Sequence, residues 1–154
     1  MLKQGLTHGD ICEVSGYTRD ELHALLKVLR PYCDAPASPR KARQYQPKDL
    51  LTLCVARVLE HDLGLRRAAV GTLGEALQKA LSGPRKISPQ ARLVITIEPP
   101  QVTYCSQGST DRQGVVVALG PLFAKVDGYL SRDAYPSLRL ETALSTASGR
   151  RGHA

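Results

Sequence analysis

Several features that would assign a function class are missing from this chain of 154 residues. Its longest nearly uninterrupted apolar run, Val115 to Leu119, falls far short of the roughly 20 residues needed to span a bilayer. Met1-Leu2-Lys3 is followed by polar residues rather than an apolar stretch, which predicts no signal peptide and a cytoplasmic protein without a membrane partner. Cys12, Cys33, Cys54 and Cys105 form no CxxC pair, so neither a zinc ribbon nor a dithiol redox centre is present and no metal site is expected. No GxGxxG or GxxxxGK[ST] stretch exists to cradle a phosphate cofactor. His8, His23, His61 and His153 lack a cysteine or carboxylate at ligand or catalytic spacing, apart from the adjacent His61-Asp62 in a turn, so the chain reads as a non-enzyme without a cofactor. Tryptophan is absent and phenylalanine occurs once, against six tyrosines.

What is present is positive charge. The net charge is +7, of which +5 falls in residues 1–90 and +2 after them. Within the first part, Pro36 to Lys48 carries Arg40, Lys41, Arg43 and Lys48 and no acid, on a proline-rich stretch. Such a cluster suits a polyanion, although a merely solvated loop has the same composition. Hydrophobic residues make up 42% and charged ones 23%, the balance of a globular chain. At this length folding buries about 68–70% of the unfolded surface, enough for a core without disulfides or metals.

Thr7 with Asp10, and Thr18 with Glu21, are capping-box pairs that predict two helix starts separated by Ser15-Gly16. Leu22, Leu25, Leu26 and Leu29 place an apolar stripe on the second helix, which Pro31 ends. Two short helices about a glycine-containing turn are a helix-turn-helix. Pro47 opens a further apolar helix to Glu60, and Leu65 to Leu81 reads as another. After the basic connector Gly83–Gln90 the period changes. Leu93–Ile97 and Val102–Cys105, flanking Pro99-Pro100, predict a β-hairpin. Val115, Leu119, Leu122, Val126 and Tyr129/Leu130 then recur at helical spacing, with Phe123 beside them. One kinked helix from the Thr110–Gln113 capping pattern is preferred because the stripe keeps phase across Gly120-Pro121. The competing reading is a strand over 115–119 and a shorter helix opened by Pro121.

His8-Gly9-Asp10-Ile11-Cys12-Glu13-Val14-Ser15-Gly16 resembles the IGELAxxTG opening of the bacterial MerR-type regulators. Arg43-Gln44-Tyr45 before Pro47-Lys48-Asp49-Leu50 is similar to that family's RRYxxxDL wing ending, and Leu63-Gly64-Leu65-Arg66 to its LGF turn. The resemblance covers residues 6–81 and implies a mainly α fold. A winged helix-turn-helix DNA-binding domain would occupy 1–82 and a linker 83–92. A short β-hairpin and dimerisation helix would occupy 93–141, and a disordered tail 142–154. It further implies a dimeric transcription regulator that distorts a palindromic promoter element, with duplex DNA, a second copy of the chain and RNA polymerase as partners. The implied DNA contacts are Thr18, Arg19, His23 and Lys27 on the second helix, and Arg40, Lys41, Arg43, Gln44, Tyr45 and Lys48 on and beside the wing. The implied dimer contacts are Val115, Leu119, Leu122, Phe123, Val126, Tyr129 and Leu130.

The family's TLRYY stretch stands here as Glu21-Leu22-His23-Ala24-Leu25, which brings an acid near the groove and shifts expected affinity onto the wing. Two alternatives keep the head but change its use: a protein-interaction adaptor of the chaperone-modulator type, and an excisionase-like architectural DNA binder. Cys105 lies a few residues before the expected dimerisation helix, where the family's metal sensors carry a cysteine. No cysteine follows it, so it stands as a candidate thiol sensor or a packed strand residue. Cys54 sits on an apolar helix face and is expected in the core. Tyr104, Phe123 and Tyr129 could line a small apolar pocket or fill a dimer core.

Overall fold

Local hydrogen-bonding chemistry sets the first two helices in the computed structural model, which describes residues 5–34, 43–82, 87–107 and 113–132. In α1 (His8–Ser15) the Thr7 hydroxyl accepts from the Asp10 amide at 3.3 Å, and the Asp10 carboxylate accepts from the Thr7 amide at 2.7 Å. In α2 (Arg19–Leu26) Thr18 and Glu21 make the same reciprocal pair at 3.2 and 2.9 Å. Gly16, between them, takes φ +87° and donates to the Cys12 carbonyl at 3.0 Å, a left-handed helix end that suits glycine. Ile11 and Val14 of α1 and Leu22, Leu25 and Leu26 of α2 are buried as the stripes predict.

Helix α3 (Pro47–Arg57) is buried on nearly every side, with Leu50, Leu51, Leu53, Cys54, Val55 and Ala56 all in the core. A helix apolar all round belongs at the centre of a fold, and α3 packs against α1, α5 and α6. It runs into a π-helical turn, Val58–Asp62. The single helix expected over 65–81 is instead two, α4 (Arg67–Thr72) and α5 (Gly74–Ser82), with Leu73 at the break. The break lies against the chain leaving α2, where the Arg30 amide donates to the Gly71 carbonyl at 3.5 Å.

The expected hairpin is observed as β1 (Arg92–Thr96) and β2 (Gln101–Cys105), antiparallel, with Leu93 opposite Tyr104 and Ile95 opposite Val102. The preferred kinked helix over 115–130 is corrected. Val115–Ala118 is a third strand, β3, on the other edge of β1, with Val115 opposite Ile95 and Val117 opposite Leu93. A helix, α6 (Gly120–Arg132), follows. A β-branched run beside an unpaired strand edge gains a hydrogen-bond ladder, and Pro121, which lacks an N–H, fits a helix start rather than its interior. The fold among the described residues is therefore mixed, with six α-helices and a small three-stranded antiparallel sheet. None of these helices is long and apolar enough to cross a membrane.

The core runs across the expected boundary between head and stalk. One continuous core holds Leu6, Ile11 and Leu50 together with Leu93, Ile95 and Val117. Residues 87–92 do not run free: Ser88 and Ala91 are buried, and the Ala91 carbonyl accepts from the Leu119 amide at 2.8 Å. The expected tail 142–154 lies outside the described residues.

The residues that the resemblance assigns to a two-chain contact lie in this same core. Leu119, Leu122, Phe123, Val126, Tyr129 and Leu130 are buried within one chain, and Val115 packs against their cluster. Helix α6 lies on α3 and α1, where the Tyr129 hydroxyl donates to the buried Asp10 carboxylate and also lies 3.3 Å from Glu13 Oε2. Asp10 thus caps α1 and holds α6 at once. Tyr129→Phe should lower the unfolding free energy by about 1.5–3 kcal/mol, the range for a hydrogen bond to a charged group, at an unchanged urea m-value.

Candidate nucleic-acid interface

Helix α2 leaves one face open, and that face is basic. Arg19, His23 and Lys27 are exposed at i, i+4 and i+8, so they stack along one side of the helix and the turn after it. Thr18 is exposed at the N-cap, and Asp20 flanks the stripe. Glu21, the acid expected to oppose a phosphate backbone, is turned to another task. Its Oε2 accepts from the Thr18 amide, and its Oε1 lies 3.6 Å from His61 Nε2. The backbone hydrogen bond from Thr18, aided by its hydroxyl, His61 and Arg57, holds the carboxyl below its usual range against desolvation, the second-largest effect.

The turn that aims α2 is fixed from behind. The Tyr17 hydroxyl donates to Glu60 Oε2 at 2.6 Å, and Arg67 Nε donates to Glu60 Oε1 at 2.8 Å. Arg57 lies over the Tyr17 ring at 5.9 Å, and His61 meets that ring edge-on at 5.9 Å. Burial, then the Glu60 hydrogen bond, push the Tyr17 hydroxyl far above its ordinary pKa. Arg57 and Arg67 therefore serve the scaffold, and His61 and Asp62 belong to the π-helical turn.

The wing residues separate into three groups. Arg40 and Lys41 lie outside the described residues. Gln44 and Lys48 are exposed. Tyr45 is 1% exposed and pairs with Leu6 in an isolated antiparallel bridge, its amide and carbonyl bonded to Leu6 at 2.9 and 3.0 Å. A ring buried to that extent belongs to the core. Arg43 is half-buried, with Nη2 donating to the Tyr32 carbonyl at 3.3 Å. Asp49 of the wing-ending motif is internal as well: it accepts from the Tyr32 hydroxyl at 2.5 Å, from Gln78 Nε2 at 3.0 Å and from the Gln46 amide at 2.8 Å.

A residue that the sequence reading left without a role joins this face. His8, the first residue of α1, is half-buried with Nδ1 at 3.3 Å from the Tyr45 hydroxyl. Burial first, then the charges of Arg19, His23 and Arg43, lower its pKa from the ordinary histidine value. The sequence signal was slight, a polar ring in place of the aliphatic residue that opens the resembled motif.

The remaining candidates sit apart. Cys54 is 2% exposed, and burial pushes its thiol up to about 12. Cys105 is half-buried on β2. Among the described residues, no group of three or more His, Cys, Asp and Glu side chains could hold a metal ion. Phe123 and Tyr129 fill the core, and Tyr104 packs against it. No family model, curated protein or solved structure matches this chain.

Proposed function

We propose that the chain is a DNA-binding transcription regulator with a MerR-like winged helix-turn-helix head, in which α2 enters the major groove. The observation that carries this reading is the exposed stripe of Arg19, His23 and Lys27 on a helix of whose two acids one, Glu21, is tied into its cap. The acid-free Pro36–Lys48 segment supplies further charge against the flanking backbone. A palindromic element calls for two copies of the chain, and with α6 built into the core of one chain their contact falls to another surface. That same burial favours a second reading, an architectural DNA binder that acts as a single copy and bends the duplex.

Binding of the full chain to duplexes selected from a random pool, and to random duplexes, tests both readings. Arg19→Ala/Lys27→Ala should weaken binding on the order of 30-fold and flatten the plot of log affinity against log salt by about 2 units. Equal affinity of parent and double variant would sink the assignment of α2. Two copies per selected duplex, counted by sedimentation, support the regulator. One copy on a bent duplex, with no preference for the selected sequence, supports the architectural binder.

A further inference from the structure

We propose that the Glu60 carboxylate sets the aim of α2 in the DNA groove, by tying the turn at the head of α2 to the start of α4 through Tyr17 and Arg67. The proposal rests on the reading of α2 as the DNA-contacting helix. It adds a positioning residue that decides how strongly the protein prefers one sequence over another, as distinct from how tightly it holds any duplex.

A closed circuit of contacts runs around α2. At its head the hydroxyl of Tyr17, the residue before the N-cap Thr18, donates to Glu60 Oε2 at 2.6 Å. The other oxygen of the same carboxylate, Oε1, accepts from Arg67 Nε at 2.8 Å. Arg67 is the first residue of α4, and Gly71, near the end of α4, accepts at its carbonyl from the Arg30 amide at 3.5 Å, where the chain leaves α2. The two backbones touch there, with no room for a Cβ on Gly71 against the Val28 carbonyl. Both ends of α2 are thereby referred to one side chain. A second strut joins the first turn of α2 to the same place, since Glu21 Oε1 lies 3.6 Å from Nε2 of His61, the residue after Glu60.

The local structure at Glu60 is built for direction. The residue sits in the π-helical turn Val58–Asp62, closed by the Leu63 amide donating to the Val58 carbonyl at 3.0 Å. Such turns are rare and occur frequently at functional sites. This one presents Glu60 to Tyr17 and Arg67, and His61 to Glu21. The Glu60 side chain is 7% exposed, and a carboxylate so far from water needs partners for its oxygens. A pair of this kind gains little stability over apolar side chains of similar volume. What it supplies is two hydrogen bonds of defined length and angle from one rigid group, which apolar packing does not offer. The Tyr17 ring is held in turn by Arg57 over it at 5.9 Å and by His61 edge-on at 5.9 Å.

Aim matters unequally for the two kinds of DNA contact. Long Arg and Lys side chains follow a phosphate through a small tilt, and Coulomb attraction has no sharp angular dependence, whereas hydrogen bonds to base edges weaken steeply once bent. Loss of the Glu60 tie therefore lowers affinity for a preferred sequence and leaves affinity for arbitrary duplex in place. Electrostatics alone predicts the opposite sign, because removing an acid from a DNA-binding protein strengthens its hold on every duplex. Glu60 is a positioning residue, acting through Tyr17 and Arg67.

The test uses the full chain, a duplex selected by the parent protein from a random pool and a random-sequence duplex, at one ionic strength and well below each variant's unfolding midpoint. Glu60→Gln should bind the selected duplex on the order of tenfold more weakly, with its affinity for the random duplex unchanged or slightly higher. Tyr17→Phe, which keeps the ring and loses only the hydroxyl, should lose several-fold on the selected duplex alone. The double variant should fall no further than Glu60→Gln, because both changes break one link. Glu75→Gln, the same charge change at an exposed position of α5, should raise both affinities together. Amide residual dipolar couplings should show an altered angle between α2 and α3 in Glu60→Gln. An unchanged ratio of selected to random affinity in Glu60→Gln would overturn the positioning role and leave the reading of α2 standing, as would an unaltered angle. Should that variant fail to fold, an unchanged ratio in Tyr17→Phe overturns it equally. A parent protein without preference for any sequence overturns it too, and leaves α2 as the contact of an architectural binder. No binding to either duplex overturns both together.

Discussion

Replacing Phe123 by alanine should lower the unfolding free energy by about 3–5 kcal/mol, with a midpoint that stays put as protein concentration is varied. The ring is buried on α6 among Leu119, Leu122 and Val126, within a core that also holds residues of α1 and α3. Its removal costs the transfer energy of the whole ring plus the cavity left behind, because helices pinned at Asp10 and along α3 relax only in part. The concentration arm gives the prediction its edge. A stripe that packs between two chains makes stability rise with protein concentration, whereas a stripe packed within one chain does not. A midpoint that climbed with concentration in the parent, and lost that dependence in the variant, would return α6 to the two-chain role that its sequence pattern suggests.

A single methyl group added at Gly74 should be nearly as damaging, at about 3 kcal/mol, and should blunt DNA binding as well. A Cβ built there collides with the backbone carbonyl, carbon and nitrogen of Arg30, which no rotamer change can move aside. At Gly71 the same addition falls 2.6 Å from the Val28 carbonyl oxygen. These two glycines let the α4–α5 segment lie directly on the chain that leaves α2. Pushing it away therefore tilts the helix proposed to enter the groove. Thermal or urea unfolding of Gly74→Ala reads the first effect, and duplex binding well below the new midpoint reads the second. A stability change under about 1 kcal/mol would mean that the two backbones have room to part.

Both predictions come from contacts that no local pattern could disclose. The parts that were legible in the sequence are those whose partners lie three or four residues away. Thr7 with Asp10, Thr18 with Glu21, Gly16 between them and the leucine stripe of α2 all stand as expected. The hairpin was legible too, because alternation on either side of a proline turn needs only short-range pairing. The candidate interface was half legible. Arg19, His23 and Lys27 point outward as their spacing requires, but Tyr45 is buried, with its hydroxyl at His8, and Arg43 is half-buried.

The final strand and helix show where local reading stops. Val115 to Leu130 satisfies a helical stripe and a strand followed by a helix equally well, since a run of valines has no period of its own. What decided between them was the free edge of β1, a surface made of distant residues, which could pair with Val115–Ala118. The same holds for α6, whose apolar stripe required a partner without saying whether that partner belonged to this chain or another. By itself the sequence determined where the first three helices begin, which faces are apolar and where the positive charge concentrates, because caps, periodicity and formal charge are short-range properties. Only the tertiary structure decided that α6 closes the core of its own chain, that Val115–Ala118 pairs with the free edge of β1, and that His8 meets Tyr45. Each of those outcomes depends on which surfaces become neighbours once the chain has folded.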